Sequence, residues 1–133
     1  MSLLVSTKGR YALRIMLDMA EQGEDAIVPL KDIASRQDLS LKYLESIMPK
    51  LKESGLVTGV AGKGGGYKLS KPADQYSVGE ILKVSEDQFA PVACLNDGFI
   101  CAKADTCKTL PMWKKLDGII SDYLDTVMLT DLL

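Results

Sequence analysis

The chain contains no histidine. That single absence excludes Ser-His and Cys-His nucleophile pairs and every imidazole-based metal site. It has no run of 18 apolar residues, so no transmembrane helix is expected. Its first residues carry Lys8 and Arg10 but no long apolar stretch, so they do not read as a signal peptide, and a cytoplasmic location is expected. Aromatic residues are 6%, too few for the stacking platforms that hold single-stranded nucleic acid. Only three cysteines occur, with no CxxC spacing, and no histidine can serve as a base, so an enzyme such as a thiol oxidoreductase is not expected.

What is present is a chain of 133 residues, 47% hydrophobic and 26% charged, which fits a single core. Net charge is −2, but it is unevenly distributed. Residues 1–72 hold 11 Lys and Arg against 8 Asp and Glu, while residues 73–133 hold 5 against 10. Between Ser40 and Lys71 six lysines face two glutamates, which places a basic patch on an acidic body.

Lys8 to Gln22 reads as a helix apolar on most faces, stopped by Gly23. Val28-Pro29 is an extended link. Leu30 to Gln37 is a short helix, Asp38-Leu39 a turn, and Ser40 caps a longer helix to about Ser54. Leu41, Leu44, Ile47, Met48 and Leu51 form its apolar face, and Pro49 should bend it. This is a helix-turn-helix pattern. Leu56 to Ala61 and Gly66 to Leu69 read as strands around a glycine-rich turn carrying Lys63 and Gly64, so the expected fold is mainly α with a small β-hairpin wing, a winged helix-turn-helix. The glycine run is not a nucleotide loop, because Gly64 stands where a P-loop needs Ser or Thr and Tyr67 where a dinucleotide fingerprint needs glycine.

Ser77-Val78-Gly79-Glu80 is a capping box opening a short helix. A loop-like stretch from Ala90 to Lys108 holds Cys94, Cys101 and Cys107, separated by six and five residues. Three thiols in one loop, an odd number, suit metal or redox chemistry better than a disulfide framework. Thiolates favour iron–sulfur clusters or zinc, and no histidine can complete a zinc site. Thr109 is expected to cap a last helix whose stripe comprises Leu110, Trp113, Leu116, Ile120, Tyr123, Leu124 and Val127. Such a helix at the end of a DNA-binding region is expected to dock on a second copy, with Trp113, Leu116, Ile120, Tyr123, Leu124 and Val127 at a homodimer interface. The expected organisation is residues 1–76 for DNA binding, 77–108 for the short helix and cysteine loop, and 109–133 for dimerisation, within one compact domain. No repeat or low-complexity segment is found.

Ser6-Thr7-Lys8-Gly9-Arg10-Tyr11-Ala12, Leu39 to Glu45, Gly55-Leu56-Val57, Gly62 to Tyr67 and Val78-Gly79-Glu80 together resemble the Rrf-two family of bacterial transcription regulators in order and spacing, over about Leu3 to Leu132. The resemblance implies a dimeric winged helix-turn-helix regulator, most like the branch that holds a cluster on three cysteines. One branch places a histidine where Leu110 stands, and another an acidic residue where Arg10 stands, so the fourth ligand is open between Asp97, Asp105, water and a small thiol. The cluster expected is 2Fe–2S or 4Fe–4S. The alternative within the family is a regulator without a cluster, controlled by a partner protein or by thiol oxidation, as in the CymR-like branch. For DNA, Ser40, Lys42, Tyr43, Glu45 and Ser46 are the expected contacts of the recognition helix with a pseudo-palindromic duplex, and Lys63 and Gly64 those of the wing.

Overall fold

The structure is a computed structural model that describes residues 5–86, 95 and 106–133. In chain order its elements are α1 (Thr7–Gln22), α2 (Leu30–Gln37), α3 (Leu41–Glu53), β1 (Val57–Val60), β2 (Gly66–Leu69), a 3-10 turn (Ala73–Gln75), α4 (Val78–Ser85), α5 (Leu110–Thr126) and a closing 3-10 turn (Leu129–Leu132). Helices on one hairpin match the expected class. Among the described residues no helix is long and apolar enough to cross a membrane.

Helix α1 begins at its N-cap Ser6, whose hydroxyl accepts from the Gly9 N–H at 3.3 Å. The Ser6 N–H and hydroxyl in turn donate to Glu86 Oε1, at 2.7 and 2.9 Å, from 80 residues away. A carboxylate there satisfies a donor that has no intrahelical partner and complements the positive end of the helix. Gly9 makes room for it, since a Cβ at that position would collide with the Glu86 carboxyl group. Ala12, Ile15, Met16 and Met19 bury the inner face of α1.

Asp18, also buried, is the exception on that face. It accepts from Arg36 Nη2 at 2.7 Å and Nε at 3.0 Å, and from Gln37 Nε2 at 3.0 Å, which ties α1 to the end of α2. The carboxylate beside it holds the Arg36 guanidinium pKa above its ordinary value. A left-handed Asp38 (φ 53°) then turns the chain into α3. Ser40 caps α3 as expected, accepting from the Tyr43 N–H at 3.1 Å, and the helix continues through Pro49 to Glu53.

The strands are antiparallel, with Val57 opposite Leu69 and Val60 opposite Gly66. Val28 adds an isolated bridge, donating to Tyr67 O at 2.7 Å and accepting from Tyr67 N at 2.9 Å. Tyr76, fully buried, fastens the base of the hairpin. Its hydroxyl donates to Leu56 O at 2.6 Å and accepts from the N–H groups of Ser70 (2.9 Å) and Lys71 (3.2 Å).

Ser77 caps α4, but only half of the expected box forms: Glu80 N–H donates to Ser77 Oγ, while the Glu80 carboxylate is held by Lys71 Nζ at 2.9 Å. A second correction falls at α5. Thr109 precedes that helix in a helical conformation and makes no side-chain cap, its hydroxyl lying beside a cysteine instead. After α5 the chain bridges back, Met128 beside Ser77, and Leu129 enters the core completely. The core is thus α1 and α3, with Val28, Ile33, Leu56, Val57, Leu69, Tyr76, Ile81 and Leu129 closing round them.

Candidate nucleic-acid interface and cysteine site

The exposed face of α3 is set by what the core takes. Leu44, Ile47, Met48 and Leu51 face inward, which leaves Lys42, Glu45, Ser46 and Pro49 in solvent. Leu41 is corrected by the structure: periodicity assigns it to the apolar face, yet it is 43% exposed. As the first helical residue after the Ser40 bend it has no preceding turn to cover it.

Hydrogen bonding decides what this face offers. The Ser40 hydroxyl accepts the Tyr43 N–H, so its own proton is free to be donated. Ser46 is the reverse: its hydroxyl donates to Tyr43 O at 2.6 Å and presents lone pairs outward. Tyr43 is half-buried, its ring meeting Tyr11 edge-on at 5.4 Å, while Arg14 lies 5.3 Å over Tyr11. Tyr43 therefore locks the first turn of α3 to α1.

At the wing, Lys63 is exposed between Gly62 (φ 93°) and Gly64 (φ 78°), a left-handed pair of positions that glycine adopts without strain. Gly65 N–H closes the turn on Gly62 O at 3.0 Å. Below the tip, Lys52, Gly59, Val60, Ala61, Gly66 and Tyr67 line a groove of about 320 Å³ between α3 and the hairpin. Lys52, one of the six lysines of the basic patch but not among the expected DNA contacts, lies across Gly59.

Of the three cysteines, Cys94 and Cys101 lie outside the described residues, as do Asp97 and Asp105. Among the described residues no group of three metal-ligating side chains forms. Cys107 sits at the approach to α5, its Sγ 3.4 Å from Thr109 Oγ1. The Thr109 hydroxyl, then the N–H groups of Thr109 and Leu110, push its thiol pKa down. A thiol held towards thiolate, only partly covered, has the chemistry of a soft-metal ligand. The donor set therefore fits an iron–sulfur group at the one position described.

Helix α5 carries two apolar faces. Trp113, Ile120, Leu124 and Val127 are half-buried. Met112 (54% exposed), Leu116, Ile119 (57%) and Tyr123 (66%) form a second row in solvent. Their spacing of four, three and four residues is one continuous seam. The sequence reading found Leu116 and Tyr123 but missed Met112 and Ile119, because it drew one stripe where the helix has two.

Comparison with known proteins gives one answer. The model of the Rrf2 family, described as iron-dependent transcriptional regulators, matches residues 5–133. The HTH-type transcriptional regulator IscR of Cronobacter sakazakii is 39% identical over 128 residues, 96% of this chain and 78% of that protein. Among solved structures, CymR, the global cysteine regulator of B. subtilis, superposes with a TM-score of 0.78 at 34% identity, covering 98% of this chain and 96% of that one. IscR of T. potens superposes with a TM-score of 0.77 at 36% identity, covering 98% and 86%.

Proposed function

Because the chain belongs to the Rrf2 family of transcriptional regulators, and is therefore a DNA-binding regulator rather than an enzyme, we propose that it binds operators as a homodimer and that an iron–sulfur cluster on Cys94, Cys101 and Cys107 tunes that binding. The observation that carries this reading is the double role of α5. Its N-terminal approach holds Cys107, and its exposed seam is Met112, Leu116, Ile119 and Tyr123. A ligand gripping one end of a helix whose other face joins two subunits can alter the spacing of the two recognition helices.

Four large apolar side chains left in water are unfavourable, each contributing roughly 1.5–3 kcal/mol when fully buried. A second copy covers them, with Trp113, Ile120, Leu124 and Val127 supporting the seam from the half-buried side. In the dimer the first turn of α3 enters the major groove. Ser40 donates to a phosphate, Lys42 and Tyr43 reach base edges or the nearby backbone, and Glu45 and Ser46 accept from exocyclic amines. Lys63 and Gly64 carry the wing along the backbone. The cluster supplies a redox- and iron-sensitive crosslink when bound. The chain's own residues supply the thiol ligands, and the Thr109 hydroxyl lowers the pKa of the one at Cys107. Coupling of roughly 1–3 kcal/mol between cluster and DNA corresponds to about 5- to 150-fold in affinity.

The test is anaerobic purification or cluster reconstitution, read by visible absorbance and gel shift on duplexes selected from a random library. The expected result is a coloured protein that bleaches in air and whose DNA affinity differs between holo and apo forms. Alanine at any of the three cysteines should abolish the colour and leave apo-like binding. A colourless reconstituted protein whose triple alanine variant binds DNA normally overturns the cluster. The superposition on CymR favours a second reading for that case, in which a partner protein or oxidation of the partly covered Cys107 thiol is the signal.

A further inference from the structure

Outside α5 and the last residues, the exposed large apolar side chains among the described residues are Ile27 and Leu41. Ile27 adjoins the Val28 bridge beside the wing. Leu41 stands at the first turn of α3, among side chains that are otherwise polar: Ser40, Lys42, Glu45 and Ser46. Among the described residues this leucine belongs neither to the buried core nor to the apolar side chains packed against it. Its heptad-like mates Leu44, Met48 and Leu51 are fully buried, while Leu41 is 43% exposed. Turning it inward is blocked by the helix itself, because Ser40 and Tyr43 fix the register of the first turn through the cap and the Tyr11 contact.

The edges of base pairs in the major groove present donors, acceptors and one apolar group, the thymine C5-methyl. The N-terminal residues of a recognition helix are the ones that meet those edges. We propose that Leu41 is a sequence-reading side chain that covers the C5-methyl group of a thymine in each half-site. This rests on the placement of the first turn of α3 in the major groove proposed above. Leucine has neither donor nor acceptor, so it discriminates by what it buries. A cytosine at that position has hydrogen in place of the C5-methyl and leaves the leucine surface in water, whereas a thymine exchanges two hydrated apolar surfaces for one contact. Glu45, one turn further on, rejects guanine edges and phosphates and accepts from an exocyclic amine. The pair therefore specifies a thymine close to a cytosine or adenine.

The experiment replaces thymine by deoxyuridine, which removes only the methyl group and leaves Watson–Crick pairing and every hydrogen-bonding atom in place. Duplexes are first selected from a random library with the wild-type protein, and each thymine of one selected duplex is then exchanged singly and in symmetric pairs. The expected result is one thymine per half-site whose exchange weakens wild-type binding about four-fold, and about fifteen-fold when both half-sites are exchanged. Leu41→Ala should bind the thymine duplex about as weakly as wild type binds the deoxyuridine duplex, and should be indifferent to the exchange. Leu41→Asn, which keeps the size but not the apolar surface, should also lose the thymine preference. Thermal unfolding of both variants should stay close to wild type, since the side chain is largely outside the core. Failure to select any duplex overturns the groove placement and this inference with it. Firm binding of a selected duplex with no thymine sensitive to exchange leaves the placement standing and overturns the role of Leu41. So does sensitivity that persists unchanged in Leu41→Ala.

Discussion

Replacing Tyr76 by phenylalanine removes one oxygen atom and should loosen the wing. That oxygen serves three backbone groups: it donates to Leu56 O at 2.6 Å and accepts from Ser70 N–H at 2.9 Å and Lys71 N–H at 3.2 Å. The three groups fare differently without it. Ser70 N–H keeps a bond to Leu56 O at 3.3 Å, which also leaves that carbonyl one partner. Lys71 N–H loses the bond the tyrosine provided. The loss is therefore one buried donation, about 1 kcal/mol, and one stranded N–H, about 1–3 kcal/mol reduced by its partial access to water. A total near 2 kcal/mol follows, or a fall in melting temperature of about 8 °C for a chain of this length. Urea unfolding at fixed protein concentration measures it, with the slope unchanged if only stability has moved. Because the bonds join the link before α4 to the base of both arms of the hairpin, the variant should also lose salt dependence in DNA binding, by about 0.9 in log–log slope for each phosphate the wing releases. A loss below about 0.5 kcal/mol would falsify the reasoning, since it would mean water replaces the hydroxyl at no cost.

Gly9→Ala should destabilise the protein by about 1–2 kcal/mol by driving Glu86 off Ser6, and the double variant with Glu86→Ala should be no worse than either single change; strict additivity, measured by a double-mutant cycle, would refute the shared contact. Arg36→Ala should cost about 3–5 kcal/mol and Asp18→Asn distinctly less, because the first leaves a buried carboxylate short of its partner whereas Arg36, 38% exposed, can turn to water; equal losses in urea unfolding would contradict this. Alkylation of Cys107 in the apo protein should reach half its maximal rate at a pH below that of an ordinary thiol, since the thiolate is the reactive form, and Thr109→Val should move the midpoint upward; an unshifted profile in either protein removes the proposed role of that hydroxyl. Ile119→Glu should give a monomer by light scattering at micromolar concentration, and a dimer that persists would place the subunit contact elsewhere.

The elements themselves were legible from local signals. Ser40, Ser77 and the glycines round Lys63 announce caps and a turn through their own chemistry, and each sits where that chemistry requires. Contacts made across long sequence separations were not. Nothing near Glu86 says that it will cap α1, and nothing near Tyr76 says that it will close the hairpin. Leu41 shows the limit of periodicity, which gives the direction of a side chain but not whether anything lies there to cover it. In α5 the same rule found one stripe because it counts residues on a face and cannot distinguish a face that meets α4 from one that meets solvent. Thr109 was misread because a threonine before a helix has two uses, and a thiol two residues earlier competes for its hydroxyl.

The burial of Leu129 sets the order in which this protein can be completed. Helix α1 leaves the ribosome early and can pack on α2, the hairpin and α4 as each emerges, yet the core they share is completed only when Leu129 arrives roughly a hundred residues later, about 5–20 s at ordinary rates of synthesis. For that interval the core lacks one of its fully buried side chains. A chain that stops short of Leu129 carries the whole recognition helix but leaves that place in the core empty, so it is expected to be less stable by about 2–5 kcal/mol, the usual cost of deleting a buried leucine side chain.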